Sequence, residues 1–111
     1  MKREVKKYLF DIMVSISSIN DYLSTTRDFF EYQNNKLLRR AVEREIEIIG
    51  EAMSRILKLD PSIKIKNTRQ IVDTRNWVIH GYDKVDNVVI WGIISKNLPE
   101  LNKEVKSLLK E

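Results

Sequence analysis

Between Val5 and Leu23 the apolar side chains fall three or four residues apart: Val5, Tyr8, Leu9, Ile12, Met13, Ile16, Ile19 and Leu23. That spacing puts one apolar stripe along a helix of roughly residues 3 to 24, which must bury the stripe against something. The same period returns in Leu38, Ala41, Val42, Ile46, Ile49, Ala52, Met53, Ile56 and Leu57, the longest regular run of the chain. This helix is expected to end near Leu59, because Pro61 disfavours the helical conformation at Asp60. Only three glycines and two prolines interrupt 111 residues, and no alternating run is long enough for a sheet. The chain is therefore expected to be all-α.

The remaining segments read as shorter helices. Ser24, Thr25 and Thr26 supply stop and cap chemistry, and Phe29, Phe30 and Tyr32 fit a short helix before the polar break at Gln33-Asn34-Asn35. Thr68 is placed to cap a fourth helix running through Ile71, Val72 and Trp77 towards Gly81, a plausible terminator. A fifth covers about Val85 to Lys96, and Leu98-Pro99-Glu100 reads as the start of a last one, with Pro99 in its first turn. Five or six helices in a single domain spanning 1–111 are expected, without repeats.

Composition narrows the chemistry. With no cysteine, disulfides and thiolate sites are excluded, and a single histidine argues against a tight zinc or iron site. No metal or cofactor is expected. The amphipathic N-terminus is neither a signal peptide nor a membrane span, so a cytoplasmic location with no membrane association is the expectation. A formal charge of +4 suits a polyanionic partner such as RNA without demanding one.

The only histidine lies in Arg75-Asn76-Trp77-Val78-Ile79-His80-Gly81-Tyr82. Imidazole takes and gives a proton near neutral pH, and an arginine presents a planar fork of donors to a phosphate. On an ideal helix, however, Arg75 and His80 lie about 140° apart. Three arrangements would bring them to one substrate: the helix ends before His80, the arginine curls around, or residues of two chains combine across a two-fold interface. The third, helped by the first, is the favoured expectation.

Each residue has a plainer reading too. Arg75 would pair with Asp73 or another nearby acid, Asn76 would sit on a helix surface, and Tyr82 would be a partly buried aromatic. Trp77, Trp91, Phe29 and Phe30 read as core or dimer interface. Glu45 falls within an apolar arc and would need a partner, with Arg75 or His80 as candidates, or reach solvent at the helix edge. Glu51 lies among Arg40, Arg44, Glu47 and Arg55 and reads as part of a solvated face. Lys36, Arg39, Arg40 and Arg44, with Lys64 and Lys66, are candidates for an RNA path but equally for a solvated surface.

Ile71 to Tyr82, reading IVDTRNWVIHGY, resembles the HEPN ribonuclease signature in its HepT-like form, an arginine followed by four residues and a histidine, with a tyrosine two residues later. REIEIIGEA at Arg44 to Ala52 is similar to the central helix of that family, and Asp86 to Leu101, with Val89, Trp91 and Leu98-Pro99, to its C-terminal part. Where many members carry Pro-Trp before the motif helix, this chain has Lys64-Ile65-Lys66-Asn67-Thr68.

The resemblance implies a HEPN-like helical bundle forming a two-fold homodimer, with both signatures facing a basic cleft. It implies a toxin of a toxin–antitoxin pair: a metal-independent endoribonuclease, with Arg75, Asn76 and His80 as catalytic residues. It also implies a minimal nucleotidyltransferase antitoxin as partner, which inactivates the toxin by transferring AMP to Tyr82. The competing expectation is a noncatalytic module of the same fold that binds a nucleotide or a nucleotidyltransferase subunit.

Overall fold

The computed structural model of the chain describes residues 1–24, 27–80 and 86–111, apart from the side chains of Trp77, Ile79 and His80. Its elements are α1 (Arg3–Tyr22), α2 (Phe29–Gln33), α3 (Lys36–Leu59), α4 (Thr68–His80), α5 (Asn87–Gly92) and α6 (Leu98–Leu109), the last two joined by a π-helical turn at Ile93–Asn97. Among the described residues there is no strand, so the chain is all-helical as expected. None of these helices is long and apolar enough to cross a membrane.

Helix α3 is the centre of the bundle, with α1 and α4 as its main neighbours and α6 packed on α1. The expected stripes form the interior: Val5, Leu9, Ile12, Ile16 and Ile19 of α1 meet Val42, Ile46, Ile49, Met53 and Ile56 of α3, all buried. Fully burying each such side chain contributes about 1.5–3 kcal/mol, so these two helices dominate the hydrophobic stabilisation. Asn35 and Asp28 cap α3 and α2, each side chain accepting from a backbone N–H in the first turn. Asp28 thus does the capping for which Ser24 to Thr26 were candidates; Thr25 and Thr26 lie outside the described residues. Helix α3 stops at Leu59, where Asp60 precedes Pro61.

Thr68 is the first residue of α4 rather than its cap. Asn67 precedes it with φ 59°, the left-handed region that asparagine tolerates better than most residues, and its carbonyl accepts from the Ile71 N–H at 3.1 Å. The expected break before Leu98 is absent. Residues 87–109 run on as one rod, and the π turn ends just where Pro99 enters. Proline has no N–H for the carbonyl four residues earlier, and its ring crowds that carbonyl. A wider turn immediately upstream relieves the crowding without stopping the helix. Of the aromatics assigned to core or interface, Phe29 and Trp91 pack edge to face at 5.9 Å, with Tyr32 5.3 Å from the same indole. Phe30 instead is 70% exposed, outside this chain's core.

Candidate active site

The site begins with a glycine. A Cβ placed on Gly50 of α3 would overlap the Arg75 Cβ and stand 2.8 Å from its Cγ and 3.2 Å from its Cα. Only glycine lets α4 come this close, and the consequence is that the Arg75 stem rests directly on the α3 backbone. The next α3 residue is Glu51, and its Oε2 lies 2.8 Å from Arg75 Nη2. The other oxygen, Oε1, accepts from Arg55 Nε at 3.1 Å. Arg75 Nη1 donates to Asn76 Oδ1 at 2.8 Å. Its Nε is buried and has no acceptor among the described residues.

These contacts revise the sequence reading at three points. Arg75 pairs with Glu51, not with Asp73 or Glu45. Glu51 is therefore more than a solvated face: the residue four positions along, Arg55, is its expected partner, but the cross-helix partner was not visible, because it depends on how deeply Gly50 admits α4. Glu45 does not pair with Arg75, and the His80 side chain lies outside the described residues. The Glu45 Oε2 accepts from the Tyr22 hydroxyl at 2.9 Å, tying α3 to the end of α1, and this hydrogen bond raises the Tyr22 pKa above its ordinary value. Asn76 and Arg75 are brought together, with the asparagine oxygen facing the guanidinium. Helix α4 runs through His80, so the arrangement in which it ends earlier is not the one adopted. The His80 side chain, like Gly81 and Tyr82 entirely, lies outside the described residues.

Arg75 opens on a groove of about 310 Å³ whose lining includes Tyr8, Arg44, Glu47, Ile48 and Arg55. Three arginines there, at 44, 55 and 75, face three carboxylates, at 11, 47 and 51. One chain alone therefore presents a balanced groove beside Arg75 rather than a basic one. Three of the six cations considered for an RNA path are engaged locally: Arg39 donates to the Gln33 carbonyl, Arg40 pairs with Glu43 at 3.1 Å and Arg44 with Glu47 at 3.1 Å. Glu43, buried on α3, went unremarked in the sequence because its i,i−3 pair with Arg40 looks like any surface pair. Among the described residues no group of His, Cys, Asp or Glu is arranged to hold a metal ion.

The sequence profile of the family described as "Ribonuclease HepT-like" matches residues 12–108, nearly the whole chain, including Gly50, Glu51 and the Arg75-to-His80 motif. The chain belongs to the HepT-like ribonuclease family. A protein of Methanocaldococcus jannaschii described as a candidate RNase is 40% identical over 109 residues, covering 95% of this chain and 96% of the relative. A second such protein from that organism is 34% identical over 116 residues, covering 99% and 95%. A candidate ribonuclease HepT of Thermococcus cleftensis is 34% identical over 116 residues, covering 99% of this chain and all of the relative. No solved structure shows a significant match to the chain. Both the Gly50-Glu51 segment and the Arg75 motif lie inside the matched region.

Proposed function

We propose that this protein is a metal-independent endoribonuclease acting as the toxin of a toxin–antitoxin pair, with Arg75, Asn76 and His80 as its working residues. The observation that carries the reading is the intact Arg75-to-His80 motif inside a HepT-like match, with the Arg75 guanidinium anchored at the edge of an open groove. In the reaction, His80 takes the proton of a ribose 2′-hydroxyl. The 2′-oxygen then bonds to phosphorus, the bond from phosphorus to the 5′-oxygen breaks, and an acid returns a proton to that leaving oxygen. His80 of a second chain is the candidate for the acid. Arg75 binds the scissile phosphate through paired N–H donors as negative charge builds up. Asn76, whose oxygen receives an Arg75 N–H, orients the guanidinium.

Two chains supply the site, which answers the angular separation of Arg75 and His80 on one helix. A nucleotidyltransferase antitoxin switches the toxin off by moving AMP from ATP to the Tyr82 phenol, adding bulk and negative charge near Arg75. The direct test is incubation of RNA with the pure protein in excess EDTA. Fragments ending in 2′,3′-cyclic phosphate and beginning with a 5′-hydroxyl are expected; intact RNA would overturn the ribonuclease reading. The switch is tested by mass spectrometry after incubation with the nucleotidyltransferase and ATP. A gain of one or more AMP units is expected, lost in Tyr82→Phe, and an unmodified protein would refute it.

The balanced charge of the groove favours the second reading, a noncatalytic module that binds a nucleotide or a nucleotidyltransferase subunit. That reading predicts no cleavage under any ionic condition and a measurable nucleotide or subunit affinity.

A further inference from the structure

We infer that Glu51 is the positioning residue for Arg75: its carboxylate fixes the guanidinium in the one orientation from which the remaining N–H groups meet a phosphodiester. This rests on the ribonuclease reading above. A free arginine side chain has many rotamers, and holding one is an entropic cost that a catalytic site must meet before substrate arrives. Here three contacts meet it. Gly50 seats the stem by admitting the Arg75 Cβ and Cγ onto the α3 backbone. Glu51 takes Nη2 at 2.8 Å and Asn76 takes Nη1 at 2.8 Å.

Glu51 is itself held. Its second oxygen is occupied by Arg55 Nε, so the carboxylate cannot turn away from Arg75 without losing a charged partner. Guanidinium carries five N–H donors, and Glu51 and Asn76 use two, one on each terminal nitrogen. A hydrogen is left on each terminal nitrogen for a phosphate oxygen. The pair is not a surface decoration: a half-exposed ion pair contributes little stability on its own, yet this one adjoins the close approach of α4 to Gly50, and the buried Nε beside it lacks an acceptor among the described residues. The arrangement is one in which stability is given up locally while the guanidinium plane is held.

The test uses Glu51→Gln, with Glu45→Gln as the control that removes the same charge from the same helix outside the groove. Glu51→Gln is expected to lower kcat for RNA cleavage by about tenfold to a hundredfold, with KM changed little, as misplacement of a catalytic group does. Glu45→Gln is expected to leave both near the wild-type values. The second arm is independent of cleavage: the Arg75 guanidinium signals in nitrogen-15 NMR, assigned by their loss in Arg75→Lys, should show restricted rotation in the wild type and in Glu45→Gln and averaged rotation in Glu51→Gln. Unchanged Arg75 signals in Glu51→Gln, or faster cleavage with a lower KM, would overturn the inference, the latter because it would make Glu51 a competitor of the phosphate. A wild-type protein that leaves RNA intact counts against the ribonuclease reading alone, and the NMR arm then decides whether Glu51 holds the guanidinium.

Discussion

Arg75 shows how much a single side chain depends on its neighbours. Its terminal nitrogens face Glu51 and Asn76 and its stem lies on Gly50, so its geometry belongs to two helices. Lysine would keep the charge but present a point ammonium instead of a fork. Arg75→Lys is therefore expected to cost about a hundredfold in kcat, equivalent to roughly 2.7 kcal/mol of transition-state stabilisation, while the far-ultraviolet circular dichroism stays that of the wild type. Cleavage at the wild-type rate in this variant would remove the bidentate role. A second residue-scale prediction concerns Tyr32, whose phenol burial pushes up well above the ordinary tyrosine value, with Glu43 adding to the effect. Because the neutral phenol is favoured in the folded state, its contribution to stability is complete below the unfolded pKa of about 10 and is lost as pH rises above it. Denaturant titrations across alkaline pH should show that loss in the wild type and a shallower one in Tyr32→Phe; identical slopes would contradict it.

At the scale of elements, the decisive contact is the crossing of α3 and α4. Gly50→Ala would push a methyl into the Arg75 Cβ, and overpacking of this kind costs about 1–3 kcal/mol and moves backbone. A lower melting temperature and impaired cleavage should come together, because the displaced helix carries Arg75; full activity with an unchanged melting temperature would show that the crossing tolerates a Cβ. The helices themselves were legible because each is written locally: the stripes of α1 and α3 at period 3.6, the polar break at Gln33-Asn34-Asn35, the stop before Pro61. Arg75, Asn76 and His80 fall on one helix for the same reason. What joins helices was not legible. The Glu51–Arg75 and Glu45–Tyr22 pairs are set by crossing depth and rotation, which no spacing along one chain records. Leu98-Pro99 does open α6, as its sequence reads, but the segment before it does not stop: a π turn joins the two, and that turn leaves no composition signal.

For the whole molecule, one chain is a small bundle with extents of 42 × 28 × 18 Å. In it, the groove beside Arg75 has as many carboxylates as arginines. A polyanion is not drawn to such a groove by net charge, so the two-chain site is where the account must gather positive potential. A two-fold dimer is therefore predicted in solution, seen as twice the chain mass by sedimentation equilibrium, with monomer at every concentration as the contradicting result. The central claim is that His80 performs proton transfer on RNA without a metal. It is tested most directly by the cleavage rate of His80→Ala in EDTA, beside the wild type, with dimer mass and circular dichroism measured on the same samples. The expected result is a native dimer whose cleavage has fallen by about a hundredfold or more, the usual worth of a general acid or base. A native dimer that cleaves RNA as fast as the wild type would contradict it.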